Sequence, residues 1–239
     1  AAQTPVPRRN GDATFLGLRH FIEHCRLRNR SSVWGDYAAS NSYDSADAQA
    51  KHAFVARMAA AVQPRMLVDL GCNTGDFSLT ALDAGAQSVI GFDYDLEAIE
   101  AACLRPEAQG RAFLPLWLDA ANPSPEQGWN QRERRGLRQR LAGADAVMAL
   151  AFIHHIVIGR NVPLDDAVGW IMDIAPRGII EFPNKSDAMV QLLLAQRPDI
   201  FPDYTQEAFV AAVAARGRIV AQEPSREGNR LMLWFDRTA

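Results

Sequence analysis

From Pro64 onward the chain alternates short apolar runs with amphipathic stretches, and this pattern leaves few folds open. The runs are MLVDL (66–70), SVIGFD (88–93), AFLPLWL (112–118), DAVMALAFI (145–153) and GIIEF (178–182). Segments such as DFSLTALDAG (76–85) and DLEAIEAACL (95–104) lie between them. Strands that lack a polar face are buried on both sides, so the pattern predicts a mostly parallel sheet with helices on each face. RIVAQE (218–223) and RLMLWFD (230–236), joined by the polar PSREGN (224–229), predict an antiparallel hairpin that closes a seven-stranded sheet. Ahead of Pro64, apolar residues at near-helical spacing predict two helices, over about 15–30 and 46–62, packed onto the α/β sandwich. The expected organisation is a disordered lead (1–12), an N-terminal helical cap (13–63) and an α/β domain (64–239).

Composition narrows the function classes. Hydrophobic residues make up 48% and charged residues 22%, which fits a globular chain and not a disordered one. With 25 Lys+Arg against 28 Asp+Glu, the net charge of −3 argues against a general polyanion binder, so nucleic acid is not an expected partner. Cys25, Cys72 and Cys103 form no C-x-x-C pair, so reduced thiols are expected and not a disulfide framework or zinc site. No window reaches the ~20 apolar residues of a membrane span, and the N-terminus lacks the apolar core of a secretory signal. A soluble, cytoplasmic protein is the expectation.

The most informative segment is Asp69-Leu70-Gly71-Cys72-Asn73-Thr74-Gly75, where the first strand of the sheet turns into a helix. Glycines in such a turn allow positive φ and close approach of backbone to a ligand, and ligands of open parallel sheets bind at the carboxyl ends of the strands. The G-x-G-x-x-G of a dinucleotide site is missing, which disfavours an NAD-type oxidoreductase. An acid at the strand end suits a cationic amine better than a phosphate. The second strand ends on Asp93, 24 positions after Asp69, and the third on Asp119. A carboxylate at the tip of a second strand can accept both hydroxyls of a ribose.

These residues resemble motif I and the following strand ends of the class I S-adenosylmethionine (SAM) methyltransferases, with Asn73 in place of the usual middle glycine. The resemblance implies a Rossmann-like fold, SAM as cofactor and S-adenosylhomocysteine as product. It places Asp69, Gly71, Cys72, Asn73, Gly75, Asp93, Tyr94, Asp119 and Ala120 at the cofactor, Asp93 on the ribose and Asp119 by the adenine. The string ALAFIHHIVIGRNVPLDD (149–166), with DAANPSPEQGWNQRER, IIEFPNKSDAMV and RPDIFPDY, is similar to a bacterial NoeA-like branch of that superfamily, from about residue 33 onward.

In this superfamily the segment after strand four faces the transferable methyl group. His154 or His155 there could accept the proton of a substrate hydroxyl. At most one of the two adjacent side chains is expected to face it; the alternative is that both are structural. Glu181, at the end of strand five, could orient a histidine or hold a substrate group. Lys51 could pair with the SAM carboxylate, with Trp34 nearby in an aromatic segment that also holds Tyr37 and Tyr43. Arg132, Arg134, Arg135, Arg138 and Arg140 offer contact to an anionic acceptor, unless they are a solvated face. His154, His155, Glu181 and Asp119 lack a compact metal-ligand spacing, so no metal is expected.

The expected activity is methyl transfer to a hydroxyl of a small molecule or saccharide. N-methylation of protein or RNA, or SAM binding without catalysis in a partner subunit, are the alternatives. The sequence leaves the acceptor and the oligomeric state open.

Overall fold

A computed structural model describes residues 8–24, 45–195 and 197–238. In chain order the elements are α1 (Arg8–His24), α2 (Ser45–Val62), β1 (Leu67–Leu70), α3 (Asp76–Asp83), β2 (Val89–Asp93), α4 (Leu96–Leu104) and β3 (Phe113–Trp117). They continue with α5 (Leu137–Arg140), β4 (Ala146–Ala149), α6 (Ile153–Arg160), α7 (Leu164–Met172), β5 (Arg177–Pro183), α8 (Ala188–Leu194), α9 (Gln206–Ala214), β6 (Arg218–Pro224) and β7 (Arg230–Asp236).

The strands form one sheet in the order β3-β2-β1-β4-β5-β7-β6. Strands β1 to β5 pair in parallel. The hairpin strand β7 is antiparallel to both neighbours, and it is inserted between β5 and β6. Each of the seven strands coincides with a run marked out by the sequence, β5 extending one residue beyond its run at each end and β6 at one end. β4 ends at Ala149, well before its apolar run does, because Ala151 takes a positive φ of 47° and α6 begins two residues later.

Period-two alternation sorts the strand residues between two cores, one on each face of the sheet. Leu67, Met148, Ile179 and Met232 pack with Phe54, Val55 and Met58 of α2. Val68, Leu70, Val147, Ala149, Ile180 and Phe182 pack with α6, α7 and α9 on the other face. Asp69 and Glu181 therefore share the α2/α3 face, each two residues beyond an apolar neighbour of that face. Local signals set the helix starts: Asp95 accepts from the N–H groups of Glu97 and Ala98 at α4, and Thr205 accepts from Ala208 at α9.

The N-terminal helices differ from expectation. α2 packs against α3 and β5, whereas Phe15, Leu16, Leu18, Phe21 and Ile22 of α1 are exposed. α1, described over Arg8–His24, covers part of the segment expected as a lead, and residues 25–30 of the expected helix lie outside the described residues. Trp34, Tyr37 and Tyr43 lie outside the described residues. No helix among the described residues is long and apolar enough to cross a membrane.

Candidate active site

The sheet order reverses between β1 and β4, and their carboxyl ends open on a cavity of about 360 Å³. That is within the ~300–1,000 Å³ typical of small-molecule pockets, at the position an α/β sheet favours. Gly71, Cys72, Asn73, Asp93, Tyr94, Asp119, Ala120, Lys51, His154 and His155 all border it.

The loop after β1 is built on residues with positive φ. At Gly71 (φ +75°) a Cβ would come within 3.2 Å of the Phe152 ring. At Gly75 (φ +89°) it would meet the Phe113 ring at 2.5 Å. Gly75 does not border the cavity, so its glycine is required by packing and backbone, not by ligand approach. Asn73 takes φ +48° where the motif usually has glycine. Asparagine tolerates this region because its side chain bonds locally, and here its Oδ1 accepts from the N–H of Thr74 at 2.7 Å.

Asp69 departs from the sequence reading. It is 2% exposed and does not border the cavity; the Ser78 hydroxyl donates to it at 2.6 Å. Alternation along β1 turns it toward α3, so it braces the start of that helix from below. Burial pushes its carboxyl up to about 7, against the Ser78 hydrogen bond, which acts in the other direction.

Asp93, expected at a ribose, borders the cavity. Its Oδ2 accepts from the N–H of Asn73 at 2.8 Å and its Oδ1 from that of Asp95 at 2.9 Å. A carboxylate has about four lone-pair sites, so both oxygens keep capacity for hydroxyls in the cavity. Burial raises its pKa, opposed by those N–H bonds. Asp119 accepts from the N–H of Ala121 at 3.1 Å and pairs with Arg160 at 3.2 Å. The Arg160 guanidinium lies over the Tyr94 ring, 5.4 Å from its centroid. Sequence reasoning missed Arg160 because it ends α6, 41 residues beyond its partner.

Both histidines border the cavity, which corrects the expectation that only one could. They occupy the first turn of α6, where successive side chains are ~100° apart and not the 180° of a strand. Their rings meet with centroids 4.0 Å apart. His154 is 1% exposed, and neither of its ring nitrogens has a hydrogen-bond partner among the described residues. Burial lowers its pKa well below the ordinary histidine value, assisted by His155, Arg230 and Lys51. Burial also lowers His155, to about 4, with Arg230 acting in the same direction and Asp187 against it.

Glu181 is fully buried and is absent from the cavity wall. Its Oε1 lies 2.8 Å from Lys51 Nζ and 3.4 Å from Arg230 Nη1, and its Oε2 accepts from the N–H of Ala151 at 2.7 Å. No hydrogen bond joins it to His154, whose nitrogens are unpartnered, so it does not orient that ring as a triad acid would. Its position on the α2 face of β5 delivers it to Lys51. Lys51 correspondingly pairs with Glu181, and not simply with a ligand carboxylate as expected, although it borders the cavity. Burial lowers the Lys51 pKa while Glu181 opposes the shift. The two lysine and arginine partners together hold Glu181 below the ordinary carboxylate range, against its own burial.

Arg230 completes the cluster by donating to Asp187 at 2.7 Å; Asp187 also caps α8 by accepting from the N–H groups of Met189 and Val190. Asp187 had a visible signal, an Asp immediately before an apolar run. Arg230 had none, since an arginine at the start of a strand reads as a solvated end. The Arg-rich stretch is exposed at Arg132, Arg134, Arg135, Arg138 and Arg140, and none of these borders the cavity.

Comparison with known proteins agrees with this architecture. The methyltransferase domain of bacterial CtHen1 superposes with a TM-score of 0.54 over 80% of this chain and 98% of that domain, at 18% identity. N-methyltransferase NodS from Bradyrhizobium japonicum WM9 gives 0.55 over 81% and 97%, at 11% identity. This chain has the class I SAM-dependent methyltransferase fold. Nodulation protein NoeA of Rhizobium meliloti (strain 1021) is 48% identical over 209 residues, 87% of this chain but 44% of NoeA. A ribosomal protein L11 methyltransferase of Tolumonas auensis is 31% identical over 146 residues, 59% of this chain and 39% of that enzyme. The chain thus spans less than half the length of these curated relatives. No protein-family model matches it.

A class I methyltransferase fold implies SAM, and the residues present fit that group. The cavity has a positive-φ loop at Gly71, an Asp93 carboxylate with open lone pairs, and the unpartnered nitrogens of His154.

Proposed function

We propose that this chain is a SAM-dependent methyltransferase acting on a hydroxyl of a small molecule or saccharide. The observation that carries the reading is His154, buried at the cavity wall with both ring nitrogens unpartnered. A buried polar atom left without a partner is costly, and a neutral acceptor bound in the cavity relieves that cost. Bound SAM supplies an electrophilic methyl group on a sulfonium. Asp93 would accept from the ribose hydroxyls, the backbone from Gly71 to Asn73 would let the ligand approach closely, and Asp119 and Ala120 would border the adenine. On the other wall a neutral imidazole, His154 or His155, accepts the hydrogen of the acceptor hydroxyl, fixes its oxygen and takes up its proton. Apolar Leu150, Phe152 and Ile156 around them limit water.

One observation favours a second reading. An imidazole whose pKa lies near 4, as for His155, is a weak base at neutral pH. Such a site also suits an amine that arrives neutral, and the name of N-methyltransferase NodS makes N-methylation the competing activity. Incubation with methyl-labelled SAM and panels of hydroxyl and amine acceptors separates the two. Label in an acid- and base-stable ether supports the first reading; label only in amines, with alcohols inert, replaces it by the second. Failure to bind S-adenosylhomocysteine in calorimetry removes both.

A further inference from the structure

The loop between β4 and α6 carries an unusual residue. Ala151 has φ +47°, a left-handed conformation that an L side chain with a Cβ adopts at a cost. Such strain persists only where the surroundings hold it, and it gathers at functional sites. The N–H of Ala151 donates to Glu181 Oε2 at 2.7 Å, a charge-assisted bond to a fully buried carboxylate. Two residues later α6 begins, and its first turn carries His154 and His155. Phe152, at the cap position, gives α6 no side-chain hydrogen bond. What fixes the entry of this helix is therefore the bond one residue earlier.

We propose that Glu181 is a positioning residue: its carboxylate holds the left-handed turn at Ala151 and thereby sets where α6 presents His154 and His155 to the cavity. The carboxylate is itself immobilised from two further elements, by Lys51 of α2 and by Arg230 of β7. Arg230 is fixed in turn by Asp187 at the start of α8. Among the described residues, Arg230 and Lys51 act on His154, and Arg230 and Asp187 act on His155. The arrangement joins the sheet interior to the histidines through backbone, without a bond from Glu181 to the His154 ring. It rests on the reading that the histidines are the acceptor wall of the cavity, but it concerns how they are held and is independent of the methyl acceptor.

The test reads the imidazole NMR signals of both histidines between pH 4 and 8, without cofactor or acceptor. Native protein, Glu181→Gln, Ala151→Gly and the double variant are compared. In native protein His155 should titrate near 4. Loss of the turn should expose the rings and move their midpoints up toward the ordinary value of about 6.5 in Glu181→Gln. Glycine adopts the left-handed turn without a Cβ penalty, so Ala151→Gly added to Glu181→Gln should bring the midpoints back down. A purely electrostatic role predicts the opposite sign, because removing a negative charge beside Lys51 and Arg230 lowers the midpoints. Midpoints that fall or stay in Glu181→Gln, or that rise and are not restored by Ala151→Gly, overturn the proposal. Should Glu181→Gln not fold, Ala151→Val decides, since it leaves the four charges intact and opposes the turn. Raised midpoints there, with native ones in Ala151→Gly, support the proposal, and native midpoints in both overturn it. No methyl transfer by the native protein, with midpoints in the variants that rise and are restored as above, would count against the proposed activity alone.

Discussion

On the wall built by β2 and β3, the carboxylates of Asp93 and Asp119 border the cavity, and backbone N–H groups do much of the work of orienting them. On the opposite side Glu181 and Asp187 are withdrawn from the cavity and held by Lys51 and Arg230. An N–H bond orients a carboxylate and leaves lone pairs free for a ligand. An ion pair in a dry interior makes each charge depend on the other. The first wall thus keeps acceptor capacity toward the cavity, and the second ties its charges to one another, with the histidines at the boundary.

The sharpest way to break this comparison is at the histidines. Replacing the one that acts as base by Ala should lower turnover about 10²–10⁴-fold with S-adenosylhomocysteine affinity retained. Labelled-methyl kinetics and calorimetry check the two halves of that statement. Because burial lowers both pKa values, the neutral base persists through neutral pH; with His155 acting, the rate should be flat from pH 8 to about 5 and fall toward 4. A limb centred near 6.5 would contradict the buried placement. The same shifts bear on stability. A group whose folded pKa lies below its unfolded one favours folding above the unfolded value, so the histidine contribution should be present above about 6.5 and lost as pH falls toward 4.

Lys51→Met tests the second wall. It leaves Glu181 with one cationic partner fewer in a buried site and should destabilise the fold by about 3–5 kcal/mol, read in denaturant unfolding. A cost below 1 kcal/mol would show that Glu181 does not depend on its partner. Asp93→Ala tests the first wall and should weaken S-adenosylhomocysteine binding by about 1–3 kcal/mol; equal affinity in the variant would remove the ribose assignment. The smallest effect is expected outside both walls. Gln at Arg132, Arg134 and Arg135 should leave Tm nearly unchanged and raise KM only for an anionic acceptor, in a salt-dependent way.

The two walls were unequally legible in the sequence. Asp93 and Asp119 follow apolar runs, so period and position alone put them at the carboxyl edge of the sheet. Asp69 follows the same rule yet faces α3, because one step along a strand reverses the side, and the motif does not say which side the ligand takes. Lys51, the stretch holding Glu181 and Asp187, and Arg230 are far apart in the chain. Their meeting is a product of long-range packing that no local pattern encodes, and the partner of Glu181 was accordingly misassigned. The sequence puts the histidine pair after strand four, but adjacency alone implies that the two side chains diverge. Recognising the helix start at Ile153 would have put both rings on one wall. The apolar stripe of α1 was read correctly as helical, but periodicity alone does not say what, if anything, covers it.

The insertion of β7 between β5 and β6 has a consequence in time. During synthesis, β5 emerges with Glu181 and Asp187 long before the chain reaches Arg230, and until then the edge of β5 is also unpaired. The nascent domain therefore has to wait, partly open, with acidic groups still hydrated and a strand edge available to other chains. Arrival of β7 closes the edge and seals the charges in one step. Ribosome-stalled chains ending before Arg230 should accordingly be far more protease-sensitive than chains in which β7 has cleared the exit tunnel.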